Sequence, residues 1–120
     1  MKVPAFLLRR LYVRGSLRNT DSGWAFTLNN SIAGGEATGL EPLIVDGRAM
    51  TAGQCFFIHE GEPISFDQVS EERRFGLQSG RDIVIAVNGH PLALGTHTVE
   101  MAFEVPGIGR LAFDFSDEVA

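Results

Sequence analysis

The sequence predicts an all-β fold: an antiparallel β-sandwich with jelly-roll-like or Greek-key connections and at most one short helical turn. Three observations lead to this prediction. Apolar and polar residues alternate in several separate stretches, fourteen glycines and five prolines divide the chain at short intervals, and no stretch has the period of a three-turn helix. Short strands that follow one another without intervening helices are typical of sandwiches and barrels.

Five stretches carry the alternation expected of half-buried strands. They lie at residues 11–17, 24–29, 83–87, 98–105 and 111–115. Since successive side chains of a strand point to opposite faces, one set in each stretch belongs to the core. From these stretches and two further apolar segments we predict a core that includes Val13, Phe26, Leu28, Val45, Ile58, Ile83, Ile85, Val99, Met101, Phe103, Phe113 and Phe115.

Glycine-containing dipeptides indicate how the strands are joined. Asp46-Gly47 and Asn88-Gly89 predict two-residue hairpin turns, because such turns favour residues that tolerate positive φ. Glu60-Gly61 is a weaker signal of the same kind. Residues 19–23 are expected to join the first two strands, and residues 106–109 the last two.

One short helical turn is expected near residues 65–70. Ser65 and Gln68 there have the three-residue spacing of a capping box, in which the two side chains bond each other's backbone amides. Nothing else in the sequence indicates a helix.

The size and charge of the chain limit its function. Its 120 residues suit a single domain over residues 1–120, and a net charge of −5 argues against nucleic-acid binding. No apolar run approaches the roughly 20 residues of a membrane-spanning helix. The apolar start at residues 3–8 is too short for a secretory signal, and Cys55 as the sole cysteine excludes an internal disulfide. We therefore expect a cytoplasmic protein without membrane contact.

A search for catalytic or metal-binding groups assigns none. His59, His90 and His97 could in principle bind a metal, but none has a partner at a recognised ligand spacing. Cys55 precedes an apolar run, which indicates a buried thiol rather than a nucleophile. Lys2 is the sole lysine, and it lies at the terminus. We predict no metal site and no catalytic residue, and the residues that bind a substrate stay unassigned.

The acidic pairs have simple structural interpretations. Glu71-Glu72 precedes Arg73-Arg74, which predicts a solvated loop with local charge compensation. Glu100 and Glu104 lie on the same side of one strand, where two carboxylates typically keep a sheet face solvated.

Residues 42–105 contain four features in order: a Val45-Asp46-Gly47 hairpin, the segment at 56–65, the Phe75-Gly76 step and the strand entry at 94–100. In these features the segment resembles the small β subunit of bacterial C-glycoside deglycosidases. In that family, the small subunit is a β-sandwich without catalytic residues. It supports a larger subunit with a sugar-isomerase-like barrel, which holds a divalent metal, manganese, and cleaves the carbon–carbon bond of 3-oxo-C-glycosides.

The resemblance therefore implies a carbon–carbon lyase complex in which this chain is inactive by itself, has no cofactor of its own and needs the barrel subunit. Two other hypotheses stay open. One is a stand-alone β-sandwich that binds a small molecule or a carbohydrate, for which Trp24 and Tyr12 are the available Trp and Tyr side chains. The other is a homo-oligomeric structural domain, in which Ala25 and Ala102 would permit close approach of a sheet face.

Overall fold

Two antiparallel sheets and a two-stranded ribbon form the protein in a computed structural model that describes residues 3–30 and 34–119. The predicted all-β antiparallel fold is confirmed. The strands are β1 (Arg18–Thr20), β2 (Gly23–Asn29), β3 (Gly35–Ala37), β4 (Gly39–Leu40), β5 (Ile44–Val45), β6 (Arg48–Ala49), β7 (Cys55–His59), β8 (Glu62–Ser65), β9 (Phe75–Leu77), β10 (Asp82–Asn88), β11 (Gly95–Val105) and β12 (Gly109–Val119). The helical segments are α1 (Ala5–Leu8) and three 3-10 turns at Arg9–Leu11, Ala52–Gln54 and Phe66–Gln68.

The first sheet has the order β1-β2-β10-β7-β8, and the second has the order β12-β11-β5-β6 with β4 also paired to β11. The ribbon pairs β3 with β9 and places Glu36 opposite Gly76. Strands β11 and β12 form the longest hairpin, in register from Gly95–Val119 to Val105–Gly109. This hairpin confirms the predicted connection at residues 106–109.

Apolar side chains of the two sheets meet in one core. Phe26 of the first sheet contacts Phe115 of the second edge-to-face, with ring centroids 5.0 Å apart. Of the predicted core residues, nine are buried and Ile83 is partly buried against the core. Val13 and Ile58 are only half-buried, so their assignment to the core was wrong.

The segment predicted as a strand at 11–17 is the clearest error in the element order. Leu11 ends a 3-10 turn, and Tyr12 makes only an isolated bridge to Leu28. Leu11 and Leu17 are buried and Val13 is half-buried, so the segment packs against the core without forming a strand. An alternation of apolar and polar residues indicates which side chains are buried. A loop that packs against a core can therefore show the same alternation as a strand.

Two of the three predicted glycine turns are confirmed. Asp46 and Glu60 have φ of 51° and 50°, and the glycines that follow them have φ of 79° and 80°, as a two-residue hairpin turn requires. Asn88-Gly89 forms no hairpin, because β10 pairs with β2 and β7 and not with the strand that follows it.

The predicted helical turn near residues 65–70 occurs, but its predicted capping box does not form. A 3-10 turn occurs at Phe66–Gln68, but Ser65 makes no capping bond to its backbone and instead donates a hydrogen bond to Asp67. The capping box in the described residues joins Thr51 and Gln54. The short helix α1 and two further 3-10 turns, at Arg9–Leu11 and Ala52–Gln54, lie outside the segment where the helical turn was predicted.

Candidate functional site

A cleft of about 580 Å³ opens beside the β3–β9 ribbon and carries several cationic side chains. We call it the arginine cleft. Its exposed polar groups include His59, Arg73, Arg74 and Arg81, and its apolar surface includes Phe57, Ile64, Leu77 and Ile83.

Strands β7, β8, β9 and β10 supply the apolar floor. Phe57, Ile64 and Leu77 are buried, and Ile83 is half-buried next to them at the start of β10. The core face of the first sheet therefore continues into the cleft. Charged groups above such a floor face less water than charges on a convex surface, which strengthens their interaction with a bound charge.

Tight turns fix the backbone at both ends of residues 73–81, which carry the arginines of the cleft. The amide of Arg73 donates to Oγ of Ser70 at 3.2 Å, while the Ser70 amide donates to the Arg73 carbonyl at 3.0 Å. The Arg81 amide donates to the carbonyl of Gln78 at 3.1 Å. The positions from which the two guanidinium groups extend are therefore held by the fold.

The three carboxylates that line the cleft have partners within the protein. Glu36 lies 3.7 Å from the Arg74 guanidinium, and Asp82 accepts a hydrogen bond from Nδ2 of Asn29 at 2.6 Å. Glu60 lies 4.0 Å from Nε2 of His59. In the described part of the chain, Arg73 and Arg81 have no ion-pair partner of their own.

Sequence reasoning missed this cleft. It interpreted Arg73-Arg74 as compensated by Glu71-Glu72, but the ion-pair partner of Arg74 is Glu36 on another strand. One signal was present: the chain has ten lysines and arginines, three of them lie within residues 73–81, and no carboxylate falls inside that segment.

His97 is held in a closed structural arrangement. Its Nδ1 lies 2.6 Å from Oδ2 of Asp46, and its Nε2 lies 2.6 Å from the carbonyl oxygen of Ala93. Because both partners only accept hydrogen bonds, both contacts are hydrogen bonds when both ring nitrogens carry protons. The bond to Asp46 raises the pKa of His97, and the same bond lowers the pKa of Asp46. An imidazolium with both nitrogens bonded cannot bind a metal.

The other residues considered as sites stand apart from one another. His59 lines the arginine cleft, whereas His90 lines a different cleft beside Trp24 and Gln54. Cys55 is buried, as predicted, and burial raises the pKa of its thiol. Among the described residues, no three His, Cys, Asp or Glu side chains come together in a way that could hold a metal ion.

The acidic C-terminal strand fastens the N-terminal segment through what we call the N-terminal clasp: Arg9, Tyr12 and Gly15 bound to Asp114 and Asp117. Arg9 donates from Nε to the Asp114 carbonyl at 2.7 Å and from a terminal nitrogen to its Oδ1 at 2.9 Å. Oδ2 of Asp117 accepts from the Tyr12 hydroxyl at 2.7 Å and from the Gly15 amide at 2.6 Å. These bonds lower the pKa of Asp117, while burial, followed by the bond to Asp117, raises that of Tyr12.

The residues named for a carbohydrate-binding surface and for a homo-oligomeric contact are mostly not available at the surface. Trp24 is buried, and Tyr12 stacks on Phe115 with a centroid distance of 3.6 Å, so neither ring offers an exposed platform for a sugar. Ala25 and Ala102 are buried within the chain itself. Glu100 and Glu104 are exposed on one side of β11, as predicted.

Apolar side chains are exposed beside the clasp. Phe6 of α1 has 69% of its surface exposed, and Ile108 in the β11–β12 turn has 37% exposed. Val3 and Ile108 also line an apolar cavity of about 180 Å³. We call Val3, Phe6 and Ile108 the N-terminal apolar surface. No helix in the described part of the chain is long and apolar enough to span a membrane.

Comparison with known proteins corrects the family assignment. No curated protein matches the chain. A family model described as the N-terminal domain of hydroxymethylglutaryl-CoA reductase matches residues 7–120, which include all of the strands. The resemblance to the small subunit of C-glycoside deglycosidases was therefore wrong, and so were the carbon–carbon lyase function and the role in the cleavage of 3-oxo-C-glycosides that followed from it.

That resemblance rested on turns and strand entries, which many β-sandwiches share because the same backbone geometry requires them. The barrel subunit and its manganese were expected from that resemblance alone, so they no longer have support, and no observation tests them. By the match over residues 7–120, the chain belongs to the family of the hydroxymethylglutaryl-CoA reductase N-terminal domain.

Proposed function

We propose that this chain is a docking domain for a reductase that acts on hydroxymethylglutaryl-CoA. In this proposal it binds a catalytic region through the N-terminal apolar surface and leaves the reduction to that region. The family description supports the proposal, because it names one domain of a larger enzyme. The observation that carries it is a large aromatic side chain, Phe6, exposed on a segment that the fold holds in place.

A reductase needs an electron donor, commonly a nicotinamide dinucleotide. Residues 107–112 match the G-x-G-x-x-A spacing of a dinucleotide-binding turn. In the structure, however, residues 107–108 lie in the turn between β11 and β12 and residues 109–112 begin β12, whereas the dinucleotide site requires a turn from a strand into a helix. Among the described residues the sole α-helix, α1, has four residues. We therefore assign no dinucleotide binding and no reduction step to this part of the chain.

The N-terminal apolar surface has the properties of a contact surface. Most of the Phe6 ring is in water, although burial of a Phe side chain is worth about 1.5–3 kcal/mol. Aromatic side chains are enriched at the centres of protein interfaces. The N-terminal clasp holds the segment that follows α1, and Leu8 at the end of α1 is buried. Phe6 is thus presented by an ordered segment, which reduces the entropy cost of binding.

Leu94 provides a matched control for Phe6. It is the most exposed large apolar residue of the described chain, with 77% of its surface exposed, and it precedes β11 at the end opposite to the turn that contains Ile108. A Phe6→Asp chain and a Leu94→Asp chain therefore carry the same added charge and lose a similar exposed apolar group at different places.

The test is binding of each chain to the catalytic part of a hydroxymethylglutaryl-CoA reductase from the same organism, measured by isothermal titration calorimetry. We expect the unchanged chain and Leu94→Asp to bind alike, and Phe6→Asp to bind at least about tenfold more weakly, as at a central interface residue. Equal binding by all three chains, equal loss in both variants, or no binding by the unchanged chain would refute the proposal.

A further inference from the structure

We propose that the arginine cleft binds a small-molecule oxyanion, a carboxylate or a phosphate monoester, that carries a short apolar group. This inference is independent of the docking surface, because no residue of the N-terminal apolar surface lines this cleft. A volume of about 580 Å³ lies within the usual range for small-molecule sites, roughly 300–1,000 Å³.

Arg73 and Arg81 would bind the anion. Both are exposed at the cleft, both have their backbone fixed by a tight turn, and neither has an ion-pair partner within the described residues. A guanidinium group presents a planar set of N–H donors that matches two oxygens of a carboxylate or phosphate. Two such groups at one concavity can bind the oxygens of one anion from two directions.

Among the described residues, the carboxylates of the cleft form no ion pair with these two arginines. Glu36 pairs with Arg74, and Asp82 accepts a hydrogen bond from Asn29 on the neighbouring strand. Each is thus held by a partner of its own, which leaves Arg73 and Arg81 available. Three arginines and three carboxylates line the cleft, so a preference for an anion rests on the N–H donors of Arg73 and Arg81 rather than on net charge.

The floor of the cleft explains why the ligand needs an apolar group. Phe57, Ile64 and Leu77 lie beneath the cations, and Ile83 is half-exposed beside them. An inorganic ion would bind the arginines but leave the exposed part of Ile83 in water. A ligand with a few methylene groups would also cover the floor, and each buried methylene group contributes favourably to binding.

The experiment is a titration of the full chain monitored by ¹H–¹⁵N correlation spectra. Butyrate and butyl phosphate are the test anions, which distinguish a carboxylate from a phosphate. Butanol tests the apolar group without the charge, and inorganic phosphate tests the charge without the apolar group. The variant is Arg73→Gln with Arg81→Gln, and its matched control is Arg18→Gln with Arg48→Gln, which removes the same charge from positions outside the arginine cleft.

We expect saturable shifts at residues 57–59, 73–77 and 81–83 with at least one of the two organic anions, and weaker binding of butanol and of inorganic phosphate. The Arg73/Arg81 variant should bind about tenfold or more weakly, because charge-assisted hydrogen bonds to the anion are lost. The Arg18/Arg48 control and the Phe6→Asp chain should bind as the unchanged chain does. Thermal unfolding of both double variants at the same midpoint would show that the loss is local.

Three outcomes would overturn the inference: no saturable shifts with either organic anion, equal weakening in both double variants, or butanol binding as tightly as the anions. If the Arg73/Arg81 variant unfolds, the unchanged chain still provides a test through ionic strength. Binding carried by two exposed guanidinium groups must weaken as salt is added, and salt-independent binding would contradict it.

Discussion

The N-terminal clasp and the arginine cleft contain similar kinds of charged side chain but differ in how completely those side chains are paired. In the clasp, Arg9 bonds both the carbonyl and the carboxylate of Asp114, and Asp117 accepts from two donors of the N-terminal segment. In the cleft, Arg73 and Arg81 have fixed backbones but no charged partner among the described residues.

The difference separates structural charges from charges that are available to a ligand. A charged group whose donors or acceptors are all used within the chain contributes to stability and has little left to offer a second molecule. A charged group that the fold positions and leaves unpaired contributes little to stability. Substitutions in the clasp and in the core beneath it are therefore expected to change the free energy of unfolding. Substitutions of the cleft arginines are expected to change ligand binding.

The largest expected effect concerns the core beneath the clasp. Phe26 has no exposed surface and contacts Phe115 across the two sheets, so Phe26→Ala should lower the free energy of unfolding by about 3–5 kcal/mol. The control is Phe6→Ala, which removes a mostly exposed ring and should change stability by no more than about 0.5 kcal/mol. Urea denaturation measures both. Similar losses in the two variants would contradict the assigned core.

A smaller effect is expected when one bond of the clasp is removed. The Tyr12 hydroxyl donates to Asp117 and accepts from the Leu17 amide at 3.1 Å. Tyr12→Phe keeps the stacked ring and leaves both partners short of one bond, so it should cost about 1–3 kcal/mol in urea denaturation. The Arg73/Arg81 double variant should stay within about 0.5 kcal/mol of the unchanged chain. If it were destabilised as much as Tyr12→Phe, the comparison between clasp and cleft would fail.

The smallest effect is the pH dependence of the pair formed by His97 and Asp46. The raised pKa of His97 means that its contribution is fully present below about pH 6.5, the unfolded value, and is lost as pH rises through the folded value. The lowered pKa of Asp46 has the opposite consequence: its contribution is present above about pH 4 and is lost as pH falls through the folded value.

Stability from this pair is therefore greatest between about pH 4 and pH 6.5, and its size should be at most about 1 kcal/mol, as for a surface ion pair. Unfolding measured across pH in the unchanged chain and in His97→Gln isolates the contribution. His90→Gln changes an exposed histidine at another site and serves as the control. A pH profile that His97→Gln leaves unaltered would show that the pair does not form in solution.

Local regularity explains why most of the fold could be predicted. Alternation at 98–105 and 111–115 predicted β11 and β12, and Asp46-Gly47 predicted a turn with positive φ at both residues. These signals depend on neighbours in the chain, and so they are visible in the sequence. The family was misidentified for the same reason: turn residues report backbone geometry, which unrelated sandwiches share.

The candidate site could not be predicted in the same way, because its groups come from separate strands. The three arginines lie within nine residues of one another in the sequence, but the apolar floor beneath them includes Phe57 and Ile83 from other strands. The ion pair of Arg74 likewise depends on Glu36 of a distant strand. Neighbouring charges in the sequence suggested compensation by Glu71-Glu72. The β3–β9 pairing brought a different carboxylate to Arg74, and no local pattern encodes that pairing.

The sequence by itself determined strands β2, β10, β11 and β12, the two-residue turns at Asp46-Gly47 and Glu60-Gly61, and the burial of Cys55, because each follows from local sterics and hydrophobic pattern. The tertiary structure decided the rest. It turned Asn88-Gly89 into a sheet-to-sheet connection in which the Gly89 amide donates to the Ser22 carbonyl at 2.9 Å, and it brought Arg9 to Asp114 across 105 positions. It also left Arg73 and Arg81 unpaired above an apolar floor. Contacts between distant segments depend on how the sheets pack, and that packing is a property of the whole chain.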